Sequence, residues 1–380
     1  MKILIKKILF NTCSLINMIV YKKNRIMIYG GNYLDDNSEA MFRYIISKNE
    51  FDIVCVSTNH LVYNKTDRFK IVKNNYLNAL YYMFTSKVVL DSSYHTVMMK
   101  PSKKQLFIQM WHGIPLKYMN GYKSPINYSQ YFSMFFSPSP NIDRLMLQTF
   151  GAAKDKLITA GYPRCDYLFE SAKNCELLKN HKINIVWMPT YKHGLGISVT
   201  NKTIPILTDE NVSALEKMLV HYDICIYIKP HRLEKEDMSV FLSKNNVTNI
   251  VLITDDDLFE LNIPVYKFLR GADALITDYS SVFYDYLLLD RPIGFTVDDF
   301  DEYKCKVGFI FDNPTSYMPG ELITDIDGFM KFINDVAVGN DQYKNDRHRV
   351  NEYVNHYKDG CNSMRCYDMI KRFIENGITE

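Results

Sequence analysis

Three polar clusters in the chain each directly follow a short apolar run that is typical of a buried β-strand. One of them contains Thr277, Asp278, Ser280 and Ser281, and an apolar segment with helical spacing comes after it. This order predicts a strand, a tight turn and a helix whose first backbone N–H groups have no partner inside the helix. Such a helix end attracts phosphate. We therefore predict a phosphate-binding turn at this position.

The other two clusters each contain a histidine. His112 lies between Trp111 and Gly113, and His231 follows Lys229 and a proline. An imidazole has an unperturbed pKa of about 6.5, so His112 could accept a proton from an attacking hydroxyl. Lys229 and His231 could stabilise negative charge on a pyrophosphate. Taken alone, the cluster around His112 is also typical of a capped loop. The cluster of Lys229 and His231 is also typical of a basic surface patch.

The positions of these clusters suggest one composite site. Ligands of open α/β sheets bind just beyond the carboxyl ends of the strands, and all three clusters follow predicted strands. His112 and His231 belong to different halves of the chain. They could therefore meet only across a cleft between two domains.

The elements that must carry these residues repeat along the chain. Apolar runs alternate with helical patterns, which predicts parallel sheets covered by helices on both faces. A chain of 380 residues is too long for one ordinary core, and the alternation restarts near residue 183. We therefore predict two α/β domains with an extra helix before them and a helical tail after them. The predicted limits are 1–23 for an N-terminal amphipathic helix, 24–180 and 181–342 for the two domains, and 343–380 for a tail long enough to cross back to the first domain.

The composition argues against several classes of protein. Basic and acidic residues nearly balance, 45 against 43, so bulk attraction to nucleic acid is not expected. The eight cysteines form no C-x-x-C pair, which is typical of free thiols rather than of disulfides or a zinc site. Common nucleotide-binding and zinc-protease fingerprints are absent. The aspartates at 255–257 and 298–301 are interpreted as solvated loops or helix starts, so we expect no metal and no cofactor.

The first 21 residues allow two interpretations. The segment is apolar with flanking lysines, but Asn11, Thr12, Ser14 and Asn17 interrupt it. It is too short and too polar for a membrane span, and no small-residue cleavage site marks a signal peptide. It could be a basic amphipathic helix that lies on an anionic membrane surface. It could equally be an ordinary first helix packed on its domain.

The order and spacing of the motifs resemble the CDP-glycerol glycerophosphotransferase family, which includes teichoic acid primases, teichoic acid polymerases and related capsule enzymes. Each motif is weak alone, whereas their joint order is specific, and together they span most of the chain. The motifs are DNS at 36–38, QMWHGIPLK at 109–117, GYPRCD at 161–166, PTY at 189–191, KPH at 229–231, TDYSS at 277–281, DRP at 290–292, the segment 298–303 and PG at 319–320.

The resemblance implies a GT-B-like fold, in which two Rossmann-like domains face each other across a cleft. It implies that an acceptor domain comes first and a CDP-donor domain second, and that His112 and His231 are the essential histidines. The donor-binding residues that it suggests are Lys229, Thr277, Asp278, Ser280, Ser281, Pro189 and Thr190. The suggested acceptor-binding residues are Trp111, Gly113, Lys117 and Arg164.

The implied reaction is transfer of a polyol phosphate from CDP-glycerol or CDP-ribitol to a hydroxyl of a lipid-linked or polymeric acceptor, with release of CMP. The implied setting is teichoic acid or capsule polysaccharide biosynthesis at the cytoplasmic face of the bacterial cell membrane, with the protein bound peripherally. Two alternatives stay open from the residues. One is a GT-B glycosyltransferase that uses a nucleotide sugar, and the other is a membrane-peripheral binding protein with a degenerate site.

Overall fold

The computed structural model describes residues 2–31, 34–58, 68–93, 99–117, 130–170, 175, 177–178, 181–190, 206–230 and 235–377. The chain divides into two compact units. Unit 1 comprises Met1–Gly113, Gly121–Phe169 and Asn355–Glu380, and unit 2 comprises Ile114–Asn120 and Glu170–Val354.

Unit 1 is built on a sheet of seven parallel strands with the order β3-β2-β1-β4-β5-β6-β7. The strand order reverses between β1 and β4, which makes this pair the switch point of a doubly wound sheet. Its elements are α1 (Lys2–Ile19), β1 (Lys23–Gly31), α2 (Asp36–Lys48), β2 (Asp52–Ser57), β3 (Phe69–Val72), α3 (Tyr76–Thr85), β4 (Ser86–Asp91), β5 (Leu106–Gln109), β6 (Met134–Ser137), α4 (Asp143–Phe150), β7 (Leu157–Thr159), a 3-10 helix (Pro163–Phe169) and the last helix of the chain, Asn362–Asn376.

Unit 2 repeats this design with six parallel strands in the order β10-β9-β8-β11-β12-β13. Its switch point lies between β8 and β11. Its elements are β8 (Ile183–Met188), α5 (Val212–Tyr222), β9 (Ile224–Ile228), α6 (Lys235–Lys244), β10 (Ile250–Leu252), α7 (Asp255–Glu260), α8 (Val265–Arg270), β11 (Ala274–Thr277), α9 (Val282–Tyr286), β12 (Ile293–Thr296), α10 (Phe300–Lys306), β13 (Glu321–Ile323), α11 (Ile326–Val338) and α12 (Lys344–Val354). The last helix of the chain, Asn362–Asn376 in unit 1, is α13.

The predicted α/β fold with two parallel sheets is confirmed. Near-continuous apolar strands fill a separate core in each unit, with Ile28 and Leu90 in the first and Ile226 and Ile276 in the second. All eight cysteines are free, and four of them are buried. Among the helices of the described residues, none is long and apolar enough to cross a membrane.

The tail of the chain is shared between the units. Its first helix, α12, belongs to unit 2, and α13 belongs to unit 1. The carboxylate of Asp166 accepts hydrogen bonds from the backbone N–H groups of Asn362 (2.8 Å) and Ser363 (2.7 Å), so it caps α13 from a distant part of the sequence. The side-chain amide of Asn362 donates to the carbonyl of Tyr162 at 3.1 Å. The helix thereby braces the GYPRCD motif.

Gly161 makes this close approach possible. Its φ is +73°, and a Cβ at this position would overlap the side-chain amide of Asn362. Gly377, which ends α13, has a similar φ of +70° but has no atom within 4 Å of a Cβ built there. The two glycines therefore share the same backbone conformation and differ in their surroundings.

We expect Gly161→Ala to destabilise unit 1 more than Gly377→Ala does. Left-handed backbone costs an alanine roughly 1–2 kcal/mol at either position. At Gly161 the displaced Asn362 amide adds the loss of a buried hydrogen bond, about 1 kcal/mol. Urea unfolding of both variants measures the difference, and equal free energies of unfolding would contradict the proposed contact.

Candidate active site

The polar residues of unit 1 lie at the switch point of its sheet. Three strands end there: β1 leads into the start of α2, β4 leads into Ser92 and Ser93, and β5 leads into Trp111 and His112. Side chains that follow these three strands therefore meet, as the sequence predicted for His112. Asn37 and Ser92 are fully buried at this edge, whereas His112 is exposed.

The ring of His112 is held by a backbone carbonyl. Its Nδ1 lies 3.2 Å from the carbonyl oxygen of Ser92. Because a carbonyl only accepts, Nδ1 must carry a proton, and in the neutral ring the lone pair is then on Nε2. The geometry thus defines a tautomer in which Nε2 is the basic nitrogen.

The turn that presents His112 has an unusual backbone. Trp111 has a φ of +59° and Gly113 a φ of +133°, and the second value is accessible only to glycine without strain. The Trp111 indole is 1% exposed and packs edge-on against Phe150 at 4.5 Å between ring centroids. The indole also contacts the imidazole of His112, at 3.9 Å between ring centroids. Trp111 therefore supports the histidine ring from within the core.

Arg164 also supports this turn. Its guanidinium donates a hydrogen bond to the carbonyl of His112 at 3.0 Å and lies 3.9 Å from the carboxylate of Asp36. The residue is only 4% exposed. The sequence suggested Arg164 as a contact for the acceptor, whereas the structure gives its buried side chain a bond within the protein.

The polar residues of unit 2 lie at its own switch point. Thr190 follows β8, and Asp278 follows β11. The backbone N–H of Thr190 donates to the Asp278 carboxylate at 2.9 Å, and the Thr190 hydroxyl donates to the other carboxylate oxygen. Thr277 is fully buried and donates its hydroxyl to the carbonyl of Met188 at 2.8 Å. These bonds connect the two strands beside the switch point.

The two serines are placed differently from the threonine. Ser280 and Ser281 are both partly exposed before α9. Both serines come just before the helix, but Ser281 has helical backbone angles and its side chain makes no capping hydrogen bond. The hydroxyl of Ser280 is 3.5 Å from the N–H of Val282, which is a long contact. Their hydroxyls therefore do little to satisfy the helix end.

Both lysines that the sequence suggested as binding residues, Lys117 and Lys229, belong to unit 2. The ammonium of Lys229 pairs with Asp255 at 2.6 Å, and Pro230 after it is buried. Lys117 pairs its backbone with Phe309, and burial lowers the pKa of its ammonium while the charge of Asp278 opposes that shift. The ammonium of Lys117, which the sequence suggested as an acceptor contact, therefore interacts with the charge of Asp278 within unit 2.

His231 lies outside the described residues. Pro189 is buried between β8 and Thr190. In the part of the chain that the structure describes, no group of three or more histidine, cysteine or acidic side chains is arranged to hold a metal ion. Asp257 instead completes a capping box with Thr254 at the start of α7.

A family model described as CDP-glycerol:poly(glycerophosphate) glycerophosphotransferase matches residues 9–372. The chain belongs to this family. The sequence resemblance and the predicted type of enzyme are thereby confirmed. The GT-B-like fold is confirmed by a solved structure of the same fold.

The chain is also similar to individual proteins of teichoic acid synthesis. A teichoic acid poly(glycerol phosphate) polymerase of Bacillus spizizenii is 26% identical over 75% of this chain and 76% of its own length. A teichoic acid ribitol-phosphate primase of the same species is 24% identical over 91% of both chains. The solved structure of the wall teichoic acid polymerase TagF has the same fold, with a TM-score of 0.79 and 21% identity over 98% of this chain and 94% of TagF.

Sequence reasoning about this glycerophosphotransferase missed the residues that hold the His112 turn. Asp35, Asn37, Ser92 and Ser93 all contact one another or the turn, but none stands out by type or spacing. Asn37 belongs to the DNS motif that carried the resemblance. That motif was the available signal, and its role follows only from the fold.

We expect Thr277→Val and Ser280→Ala to have different effects on the stability of this glycerophosphotransferase. Thr277→Val removes a buried hydrogen bond between strands and should lower the free energy of unfolding by about 1 kcal/mol. Ser280→Ala removes a partly exposed hydroxyl and should change it by less than about 0.5 kcal/mol. Urea unfolding measures both, and a larger loss for Ser280→Ala would contradict these assignments.

Proposed function

We propose that the protein transfers glycerol phosphate or ribitol phosphate from a CDP-activated donor to a hydroxyl of a lipid-linked or polymeric acceptor. The product would be a teichoic acid or a related capsule polysaccharide, and CMP would leave. Family membership supports CDP-polyol transfer, and relatives named for both glycerol phosphate and ribitol phosphate leave both donors in the proposal. The observation in this chain that carries the mechanism is the contact of His112 Nδ1 with the Ser92 carbonyl at 3.2 Å, from which we infer that Nε2 is the basic nitrogen.

The proposed step is a displacement at phosphorus. The acceptor oxygen attacks the phosphorus that bears the polyol, and a new P–O bond forms. The bond from that phosphorus to the bridging oxygen breaks, and this oxygen leaves with CMP. The acceptor proton moves to Nε2 of His112. Such reactions depend mainly on positioning and on stabilisation of phosphate charge.

Residues of unit 2 are proposed to bind the donor. The partly exposed hydroxyls of Ser280 and Ser281 would donate to the diphosphate. Lys229, together with His231, would offset its negative charge. We assign Lys117 to this donor side because its charge interacts with Asp278. Burial removes water from the ammonium of Lys117, and charge-assisted hydrogen bonds to a diphosphate would compensate for that loss of hydration.

Other residues are proposed to act through these groups. Asp278 and Pro189 would fix Thr190, whose hydroxyl and N–H both bond to the Asp278 carboxylate. Thr277 would keep β8 and β11 in register through the Met188 carbonyl. In unit 1, Gly113 would let the acceptor approach the backbone beside His112.

The proposed reaction is tested with His112→Asn. Asparagine keeps an N–H donor for the Ser92 carbonyl but has no basic nitrogen, so the fold should survive. We expect CMP release from CDP-glycerol or CDP-ribitol to fall on the order of 10²–10⁴-fold with a prenyl-linked acceptor. His221→Ala removes another exposed histidine and serves as the control.

Two results would contradict this proposal. Near-normal CMP release by His112→Asn would remove His112 from the mechanism. Release of UDP or GDP from nucleotide sugars by the wild-type protein, without CMP release from either CDP-polyol, would favour the glycosyltransferase alternative.

We also propose that α1 contacts an anionic membrane surface at the cytoplasmic face of the cell membrane. The helix is attached to unit 1 by its polar side, where Asn17 is fully buried and donates to Gln105 at 2.6 Å. Its exposed side carries large apolar residues, with Leu15 68% and Ile19 85% exposed, beside the polar Asn11 and Thr12. Large apolar side chains that face away from the protein are expected of an interfacial helix.

The distribution of charge supports this membrane contact. The first 142 residues contain 18 of the 45 basic residues but only 7 of the 43 acidic ones. The near-neutral total therefore conceals a basic N-terminal part and an acidic remainder. Basic residues near an anionic membrane contribute about 1 kcal/mol each. Lys7 and Lys23 near the ends of α1 are exposed and available for this attraction.

We expect Leu15→Glu combined with Ile19→Glu to weaken binding to vesicles that contain phosphatidylglycerol. Burial of each apolar side chain is worth roughly 1.5–3 kcal/mol, so the loss should be at least about tenfold. The control is Val240→Glu with Val338→Glu, which changes two exposed apolar residues of unit 2. Co-sedimentation measures binding, and an equal loss in both double variants would contradict a specific role of α1.

A further inference from the structure

The start of α2 carries an asparagine whose side-chain amide bonds both to the His112 turn and to the backbone of Arg164. Asn37 is 1% exposed, and its Nδ2 donates to the carbonyl of Trp111 at 2.6 Å. Its Oδ1 accepts the backbone N–H of Arg164 at 3.1 Å. Arg164 in turn donates to the carbonyl of His112 at 3.0 Å. One side chain therefore connects the turn to the segment that holds it from the other side.

Asp35, the residue before α2, bonds to the two serines that follow β4. The carboxylate of Asp35 accepts the hydroxyl of Ser92 through one oxygen and the hydroxyl of Ser93 through the other, the latter at 2.7 Å. It also accepts the N–H of Ser38 at 3.1 Å as the N-cap of α2. The carbonyl that receives Nδ1 of His112 belongs to Ser92. Asp35 thus fixes the residue that orients the imidazole.

We propose that Asn37 and Asp35 are positioning residues for His112. Asn37 fixes the backbone of the turn, and Asp35 fixes the Ser92 carbonyl that keeps the proton on Nδ1. The inference rests on the proposed function in that His112 is taken as the base. It goes beyond that function because it assigns the tautomer and the direction of the ring to two side chains that need not touch either substrate.

The strained backbone of Trp111 supports a positioning role for Asn37. Trp111 has a left-handed backbone, which is strained for a residue with a Cβ, so the turn needs bonds that outweigh this strain. The bonds to Asn37 and to the side-chain oxygen of Gln109 (2.9 Å) hold Trp111 in that conformation. Without them, the turn would relax toward ordinary backbone angles. A shift of about 1 Å in a catalytic group can cost 10²-fold in rate.

The kinetic test uses Asn37→Ala and Asn37→Asp. Asn37→Ala removes both bonds, and we expect kcat to fall on the order of 10²-fold while KM for CDP-glycerol stays the same. Asn37→Asp keeps the shape but turns an oxygen toward the Trp111 carbonyl, so it should be no better than alanine. Asn249→Ala is the matched control, because that amide also donates to a backbone carbonyl (Ile224, 2.9 Å) but lies in unit 2.

The second test reads the histidine directly and needs no substrate. In protein labelled with ¹⁵N-histidine, two-bond ¹H–¹⁵N spectra distinguish protonation at Nδ1 from protonation at Nε2, and His112→Asn identifies the signal. We expect the Nδ1–H tautomer in the wild type and in Asn249→Ala, and a mixture of tautomers in Asp35→Ala. Asp35→Asn, which can still bond to both serines, should restore the wild-type pattern in large part.

The outcomes separate this inference from the proposed reaction. An unchanged His112 tautomer in Asp35→Ala overturns the role of Asp35. A loss of kcat in Asn37→Ala that is no greater than in Asn249→Ala overturns the role of Asn37. If the wild-type protein turns over no CDP-polyol, the proposed function fails, and the spectra of Asp35→Ala and Asn37→Ala still decide whether these residues orient the ring.

Discussion

The reversal of strand order in each sheet is the constraint on which both polar clusters depend. At a switch point, the connections that follow the two adjacent strands leave toward opposite faces of the sheet, so the ends of these strands are not covered by a crossover. In unit 1 the reversal lies between β1 and β4, and in unit 2 it lies between β8 and β11. The residues that follow these strands can therefore be polar without disrupting either core.

Strands were easier to predict from the sequence than the contacts that depend on the order of the strands in the sheet. Leu106–Gln109 and Ile224–Ile228 are recognisable in the sequence, because strands buried on both faces form nearly continuous apolar runs. Glu321–Ile323 gives no such signal, since it is a three-residue edge strand that is only partly buried. The bond between Asp35 and Ser92 joins residues 57 positions apart and depends on the strand order, which no local pattern contains.

Roles of individual residues were harder to predict than their positions. A polar residue at the end of a strand can face a ligand or hold the loop, and the residue type alone does not distinguish the two. Thr277 and Arg164 are buried and bonded to the backbone carbonyls of Met188 and His112, as buried polar groups must be. Ser280 and Ser281 keep part of their surface exposed. Burial therefore separates supporting residues from candidate contacts within motifs that look uniform in sequence.

Polar contacts decide which side of the N-terminal helix faces unit 1. α1 packs on unit 1 through polar contacts, in which Lys22 donates to both oxygens of Asn17 and to the carbonyl of Phe84, while burial lowers the pKa of this lysine to about 8. A helix attached by its polar side must present its apolar side outward. Such a face is unfavourable in water and favourable at a lipid surface. Asn17 interrupts the apolar segment, which argued against a membrane span, and its buried side chain fixes which side of the helix faces unit 1.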